Sequence, residues 1–315
     1  LATDNNMKFD VIVGNPPYQD KAGQNTLYPK FYSKSVSLLK ENGYLGMITP
    51  PAIIPGLWGL KDPDGIKMPD PIAIKHIAVG DNVKSFFDKK ISSEFCYFIL
   101  QNKEDTNTSV TVRTDSGIIN ASGPIFPKVS GLKDLQIVQD ILDKCFKFNC
   151  DPYNATSADH GKRARADENG KDEAVESIST NGKIKTRKIT WLSDHPHYNC
   201  PKVIMPMYGK TAVVDYSHKL VSASQESTKS GKLTGHNVTT VLTDSDAASE
   251  SLISILESRI QVFFNAVTNE TRTPYVNFLK NFVGVPLNQK YTNDSLELAL
   301  GLNESQRKWL NSNLK

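Results

Sequence analysis

Short apolar runs alternate with amphipathic stretches through the first hundred residues. Residues 11–13 are three consecutive β-branched residues, which predict a strand buried on both faces of a parallel sheet. Residues 28–40 have helical spacing of their apolar positions, and residues 44–48 predict a second strand. Further strands are predicted at residues 74–77, 83–87 and 91–100. This order predicts an α/β fold.

The predicted first helix has its apolar face at Phe31, Ser35, Leu38 and Leu39. The Glu-Asn-Gly sequence at residues 41–43 ends it, because glycine permits the backbone to leave the helix. The strand that follows runs into Thr-Pro-Pro. Residues 42–60 carry no charge, but several prolines and glycines exclude a membrane span, and we expect a buried strand followed by a rigid loop.

The pattern changes beyond residue 100. Residues 101–108 are polar and read as a linker, and residues 109–119 alternate as one or two short strands. Residues 151–181 have few large apolar side chains and predict a long exposed loop. Residues 249–267 predict a long helix, with apolar segments at 275–279 and 283–287 behind it.

Composition sets outer limits. A chain of 315 residues has room for two domains. Its four cysteines show no regular spacing, so neither a zinc site nor a disulfide framework is expected, and a reducing cytoplasm fits best. Asp194, His195 and His197 are metal-ligand types, but they lack partners at helical spacing, and no metal is predicted.

Positive charge is concentrated in one segment. Residues 178–236 contain nine lysines or arginines against three acids, whereas the whole chain carries +3. Tryptophan and tyrosine residues are interleaved, as in surfaces that neutralise phosphates and stack on bases. The candidate DNA-binding residues are Lys183, Lys185, Arg187, Lys188 and Lys210. A solvated, strand-rich surface is the alternative.

The most specific chemistry lies at the end of the first predicted strand, where Asn15, Pro16, Pro17 and Tyr18 follow Gly14. The Asn15 side-chain carbonyl can accept a hydrogen bond from a planar amine. Pro16 has no N–H, and Pro17 restricts the backbone, so the Pro16 carbonyl can serve as a rigid second acceptor. Tyr18 offers a flat face for stacking. A simple turn after a core strand is the structural alternative.

With its surrounding elements, this motif resembles the adenine-specific DNA methyltransferases of restriction-modification systems. The resemblance implies a partial Rossmann-like sheet that uses S-adenosylmethionine, followed by a mixed α+β target-recognition domain. It places the catalytic domain at residues 1–105 and the target-recognition domain at residues 106–315. It implies that Asn15 to Tyr18 are catalytic and that double-stranded DNA presents a flipped adenine. An aromatic residue stacks on its other face; Phe98 is our choice, with Phe87 and Tyr97 as alternatives.

The resemblance has a gap. In most of this family a glycine-rich turn and an acidic residue that bind the methyl donor precede the Asn-Pro-Pro-Tyr strand, but here only residues 1–8 do. Residues 282–286 (Phe-Val-Gly-Val-Pro) fail as a substitute, since proline stands at the second glycine position. The sequence therefore reads as a fragment whose cofactor-binding residues are unassigned. Expected partners include the missing N-terminal half or a restriction subunit.

Two other functions stay open. Glutamine methyltransferases that act on release factors share Asn-Pro-Pro-Tyr, since an amide nitrogen is also a planar amine, but they lack a long basic domain behind the motif. The chain could also be a DNA-recognition module whose donor-binding half is elsewhere. Salt-sensitive DNA binding without donor binding would favour that reading.

Overall fold

The structure is a computed structural model, and it divides into two compact units, Leu1–Asp143 and Lys144–Lys315. Each unit is described by itself. The described residues are 7–19, 26–60, 73–80, 83, 94–103, 109–157, 165–166, 169, 172–178, 184–190, 201–206, 225–226, 233–234, 238–268 and 274–314. No helix within these ranges is long and apolar enough to span a bilayer.

The first unit is built on a six-stranded mixed sheet. Its strands are β1 (Phe9–Gly14), β2 (Leu39–Thr49), β3 (Ala73–Val79), β4 (Cys96–Gln101), β5 (Val110–Thr114) and β6 (Gly117–Ala121). Its helices are α1 (Tyr28–Ser37), a 3-10 turn (Pro51–Ile53), α2 (Ile54–Leu57) and α3 (Leu135–Cys145), which ends just beyond the unit boundary. The strand order is β1-β2-β4-β3-β5-β6, with β1–β2 and β3–β5 parallel and the other pairs antiparallel.

One face of this sheet carries the core. Leu45, Met47, Phe98, Ile77 and Val112 are all buried on it, because residues paired in register point to the same side. The helix α1 and the turn after β2 pack on this face. The segment after β2 forms the 3-10 turn and the short helix α2, whereas a rigid loop was expected there.

The strand predicted at residues 11–13 exists, but the prediction that both its faces are buried is wrong. β1 has a described neighbour on one side only, β2, and five of its six residues are exposed. Only Ile12 is partly covered by the core. Periodicity identified the strand, but its burial depends on what lies beside it in space.

The first helix also forms, with a different buried face. Tyr28 and Tyr32, four residues apart, are buried, whereas Phe31 is exposed. The helix ends at Ser37, so Leu39 already belongs to β2. The predicted stop falls inside that strand, where Asn42 has a positive φ of 61° beside an irregular register with β1.

The short strands predicted at residues 109–119 are confirmed as β5 and β6, which pair as a hairpin and extend the first sheet. The compact units accordingly divide after Asp143, not after residue 105. The assignment of catalysis to the first part and target recognition to the second remains a prediction.

The second unit combines short sheets with a helical end. Its strands are β7 (Thr156–Ser157), β8 (Arg165–Ala166), β9 (Asp172–Ile178), β10 (Ile184–Thr190), β11 (Lys202–Pro206), β12 (Gln225–Glu226), β13 (Leu233–Thr234) and β14 (Val238–Leu242). Its helices are α4 (Asp246–Leu256), α5 (Arg259–Thr268), α6 (Pro274–Asn281), α7 (Asn293–Ala299) and α8 (Glu304–Asn313). The strand β9 lies where a long loop was expected.

The helix predicted over residues 249–267 is two helices. It breaks at Glu257 and Ser258, where the Ser258 amide and hydroxyl both donate to the Ile255 carbonyl at 3.2 and 2.6 Å. Residues 275–279, expected as an apolar segment behind it, are helical in α6. Residues 283–287, the second apolar segment, have no strand or helix assignment. Tertiary packing outweighs local pattern in this part of the chain.

Candidate active site

The Asn-Pro-Pro-Tyr turn lies at the carboxyl end of β1. Gly14 is in register with Met47 of the parallel strand β2, so both strands end at the same edge of the sheet. The antiparallel β4 begins there, with Cys96 opposite Thr49. Residues from three strands therefore meet where ligands of open α/β sheets bind.

Asn15 and Tyr18 are joined by a hydrogen bond. The Tyr18 hydroxyl donates to Asn15 Oδ1 at 3.1 Å. Asn15 and Pro17 are exposed, whereas Pro16 is buried and anchors the turn. The Tyr18 carbonyl accepts from the Leu27 amide at 3.0 Å, which closes the base of the following loop. Because an amide oxygen has two lone pairs, Oδ1 retains one for a second donor.

The ring of Tyr18 packs against Phe95, which immediately precedes β4. The two centroids are 6.1 Å apart and the planes are inclined by 53°, within the range of a direct aromatic contact. Burial raises the pKa of Tyr18, with a smaller contribution from Cys96, so the phenol stays protonated and remains a donor. A base cannot lie between these rings unless one of them moves.

Phe98, our choice for the second stacking residue, is fully buried in the core on the opposite face of the sheet, edge-on to Tyr32. It has no surface to offer a base. Tyr97 lies on the other face, in a small apolar cluster with Tyr18 and Phe95. Phe87 lies outside the described residues. Phe95 was missed, although the two-residue period of β4 places it opposite Cys96, Phe98 and Leu100.

Cys96 and Thr49 lie at this edge of the sheet, and neither side chain is reactive. The thiol lies 3.5 Å from Thr49 Oγ1 and 3.7 Å from the Pro50 carbonyl. Burial raises the pKa of Cys96 to about 12, so the thiolate is negligible at neutral pH. Within the described ranges, no group of three or more histidine, cysteine, aspartate or glutamate side chains is arranged to hold a metal ion.

The candidate DNA-binding residues are only partly described. Lys185 and Lys188 lie on β10 with exposed side chains, and Arg187 is on the same strand. Lys183 and Lys210 lie outside the described residues, as do the tryptophan and tyrosines interleaved with them. Lys202, one of the nine basic residues counted, is fully buried in β11 and cannot meet a phosphate there.

The Asn-Pro-Pro-Tyr turn, for which the sequence predicts binding of a planar amine, lies at the carboxyl end of a strand of the first sheet. In comparison with known proteins, residues 1–59 match the Eco57I restriction-modification methylase family. The resemblance to adenine-specific restriction-modification methyltransferases is thereby confirmed for the part of the chain that contains the turn.

Two curated relatives agree with this match. An uncharacterised adenine-specific methylase of Mycoplasma pneumoniae is 34% identical over 124 aligned positions, which cover 34% of this chain and 27% of the relative. The type II restriction enzyme and methyltransferase RM.Eco57I of Escherichia coli is 39% identical over 70 positions, covering 16% of this chain and 7% of the relative. The matched parts are thus small shares of both relatives.

Among solved structures, the chain is similar to the type IIL restriction-modification enzyme MmeI, determined in complex with DNA. The TM-score is 0.41 at 11% identity, and the match covers 95% of this chain and 47% of that one.

Proposed function

We propose that this protein transfers a methyl group from S-adenosylmethionine to the exocyclic N6 of an adenine flipped out of double-stranded DNA, within a restriction-modification system. The observation that carries the proposal is the exposed Asn15 carbonyl at the end of β1, held by Tyr18 with one lone pair unused. It lies inside the segment that matches the methylase family.

The proposed reaction requires two hydrogen-bond acceptors for the target amine. The lone pair of an exocyclic aromatic amine is delocalised into the ring, which makes the nitrogen a weak nucleophile. Hydrogen bonds from its two N–H groups to Asn15 Oδ1 and the Pro16 carbonyl would localise that lone pair and stabilise the positive charge that develops on nitrogen. Catalysis is then orientation and electrostatic stabilisation, without a covalent enzyme intermediate.

The target base has to leave the duplex, because its amine is otherwise paired. Tyr18 supplies the stacking face. Since its ring contacts Phe95 in this structure, base capture requires the two rings to separate or the base to stack on the outer face of Tyr18. The partly exposed Tyr18 is suited to this role, unlike the fully buried Phe98.

S-adenosylmethionine supplies the reactive methyl group when it is bound. The described residues fit the acceptor side of the reaction but not the donor side. β1 is the outermost described strand at its edge of the sheet, and among the described residues no glycine-rich turn follows a strand there. We therefore assign no residue to the donor.

The second unit is the proposed DNA-holding part. Lys185 and Lys188 project from β10 with exposed side chains, in the segment where positive charge is concentrated. Such lysines would neutralise phosphates and give a salt-dependent affinity.

The test is a methyl-transfer assay on the complete gene product with labelled S-adenosylmethionine, offered either DNA or a translation release factor. Asn15→Ala should lower transfer to adenine by about 100-fold or more, as for other lost transition-state acceptors and donors, while DNA affinity persists. Asn313→Ala, which alters an exposed asparagine at the end of α8, is the control and should keep full activity.

Three results would refute the proposal. Equal loss of DNA binding and transfer in Asn15→Ala would refute the role of Asn15. Label on the release factor would assign the chain to the glutamine methyltransferases. DNA binding by the complete product without any transfer would leave a recognition module.

A further inference from the structure

Phe95 lies against Tyr18 on a firmly held part of the first sheet. It is only 7% exposed, and it immediately precedes Cys96. Cys96 is paired with Thr49 of β2 on one side and with Val79 of β3 on the other. Because the start of β4 is hydrogen-bonded on both sides, the backbone that carries the Phe95 ring is fixed.

The side chains beside Phe95 hold its ring as well. They form one apolar cluster at the carboxyl edge, on the face of the sheet opposite the main core. The cluster consists of Phe95, Val83, Ala78, Ile48 and Tyr97. Tyr97 is in register with both Ile48 and Ala78, so these three side chains lie side by side. Moving the Phe95 ring out of this cluster would expose apolar surface to water, which is unfavourable.

The Tyr18 ring is held at two points and is still partly exposed. Its ring contacts Phe95, with the two centroids 6.1 Å apart, and its hydroxyl donates to Asn15 Oδ1 at 3.1 Å. A tyrosine side chain has only two χ angles, so a contact on the ring and a hydrogen bond at its tip together fix the plane of the ring.

We propose that Phe95 is a positioning residue that supports the Tyr18 ring on one side, so that the flipped adenine stacks on the opposite, outer face of Tyr18 and does not enter between the two rings. A stacking plane that is fixed before the base arrives lowers the entropic cost of binding the base. The inference rests on the proposed function, because it specifies how that site receives its base.

The experiment measures base capture with 2-aminopurine at the target position, using the complete gene product. Phe95→Leu and Phe95→Met keep an apolar side chain but remove the rigid ring. Each variant should weaken base capture by about 2- to 12-fold, the range for loss of an aromatic pair contact. Affinity for DNA that lacks the target site, measured by fluorescence anisotropy, should stay at the wild-type value.

A double-mutant cycle separates a role through Tyr18 from a direct or merely structural role. In the Tyr18→Ala background no ring remains to be positioned, so adding Phe95→Leu should change base capture by less than about 2-fold. A direct contact of the base with Phe95 would instead give the same loss in both backgrounds, as would a general loss of structure.

Phe126→Leu is the matched control. Phe126 is 6% exposed, and its ring packs on Trp58 with the centroids 5.8 Å apart. Burial and ring contact therefore resemble those of Phe95, but the partner is Trp58 instead of Tyr18. Phe126→Leu should lower the melting temperature about as much as Phe95→Leu does, and it should leave base capture unchanged.

Four results would overturn the proposal. Stronger capture by Phe95→Leu would show that Phe95 blocks the base site. Equal losses with and without the Tyr18 ring would show a role that is independent of Tyr18. An equal loss in Phe126→Leu would assign the effect to stability. Wild-type capture in both Phe95 variants would show that Tyr18 needs no support.

Failure of the proposed function would be seen separately. In that case the wild-type protein would neither capture the base nor transfer a methyl group to adenine, and both proposals would be overturned. Normal capture and transfer by the wild type, together with any of the four results above, would overturn the role of Phe95 alone.

Discussion

At the scale of the residue, the structure links two side chains that the sequence treats as separate. The Tyr18 hydroxyl donates to Asn15 Oδ1, the proposed amine acceptor, so we propose one role for the ring of Tyr18 and another for its hydroxyl. We therefore expect that removing only the hydroxyl of Tyr18 and removing its whole ring will have different effects.

Tyr18→Ala should weaken capture of the target base by about 5- to 150-fold, because base–aromatic stacking contributes about 1–3 kcal/mol. Tyr18→Phe keeps the ring and should retain base capture, while kcat falls by about 2- to 10-fold through loss of one hydrogen bond. Fluorescence of 2-aminopurine at the target position measures capture, and single-turnover transfer measures the chemical step. Equal capture by the two variants would contradict stacking.

At the scale of the element, the ends of strands are fixed by close contacts. Gly80 ends β3 at the site edge with φ of 98°, and a Cβ placed there would overlap the carboxylate of Asp115, which follows β5. Gly59 also has a positive φ, 72°, but no atom lies within 4 Å of its Cβ position. A comparison of substitutions at Gly80 and Gly59 therefore distinguishes the cost of backbone strain from the cost of steric overlap.

Gly80→Ala should therefore cost more stability than Gly59→Ala. Both replacements place a side chain in the left-handed backbone region, which costs about 1–2 kcal/mol. Only Gly80→Ala must also displace Asp115, which we expect to cost a further ~1–3 kcal/mol. Urea unfolding of the two variants measures the difference. Equal free energies of unfolding would show that Asp115 moves aside without cost.

The helices α5 and α7 are joined through a buried carboxylate. Arg259 contacts Glu297, which is fully buried, at 3.0 Å, and Asp294, which is exposed, also at 3.0 Å. Burial raises the pKa of Glu297, while the Arg259 guanidinium acts in the opposite direction. Removing the arginine would leave a buried charge without its main partner.

Arg259→Ala should lower the free energy of unfolding by about 3 kcal/mol at pH 7. Without Arg259 the pKa of Glu297 rises further. A carboxyl with a raised folded pKa stabilises the fold below its unfolded pKa of about 4.3 and loses that contribution as pH rises through the folded pKa. The deficit should therefore shrink at pH 4. Urea unfolding at both pH values tests this, and Glu297→Gln should restore part of the loss at pH 7. An equal deficit at both pH values would contradict it.

At the scale of the whole molecule, the proposed binding of the target amine and the proposed binding of DNA are assigned to different compact units. The first contains the Asn-Pro-Pro-Tyr turn, and the second contains the exposed lysines of β10. Both lysines lie in the segment where positive charge is concentrated.

Lys185→Ala and Lys188→Ala should each reduce the slope of log K against log salt for DNA binding by about 0.9, the value for one phosphate contact. Lys202→Met removes a lysine from the same basic segment, but that side chain is buried and its loss should leave the slope unchanged. Fluorescence anisotropy across a salt series measures all three. A slope that changes with Lys202 alone would reject this surface.

The strands and helices whose formation depends mainly on the local sequence were predicted correctly. The strand before the Asn-Pro-Pro-Tyr turn, the helix behind it, β2, β3 and the β5–β6 hairpin are all present. The predictions failed where the result depends on a distant partner. Phe98 faces the core and Phe95 faces Tyr18, a choice set by which side of β4 is covered.

The sequence by itself determined the chemistry of the turn, because Asn15, two prolines and Tyr18 have fixed donors, acceptors and backbone limits wherever they stand. It also determined the family match of residues 1–59. Only the tertiary structure decided that β1 is an exposed edge, that Phe31 faces outward and that Lys202 is buried. Burial is a property of neighbours in space, and the same alternating pattern fits a covered face or an open one.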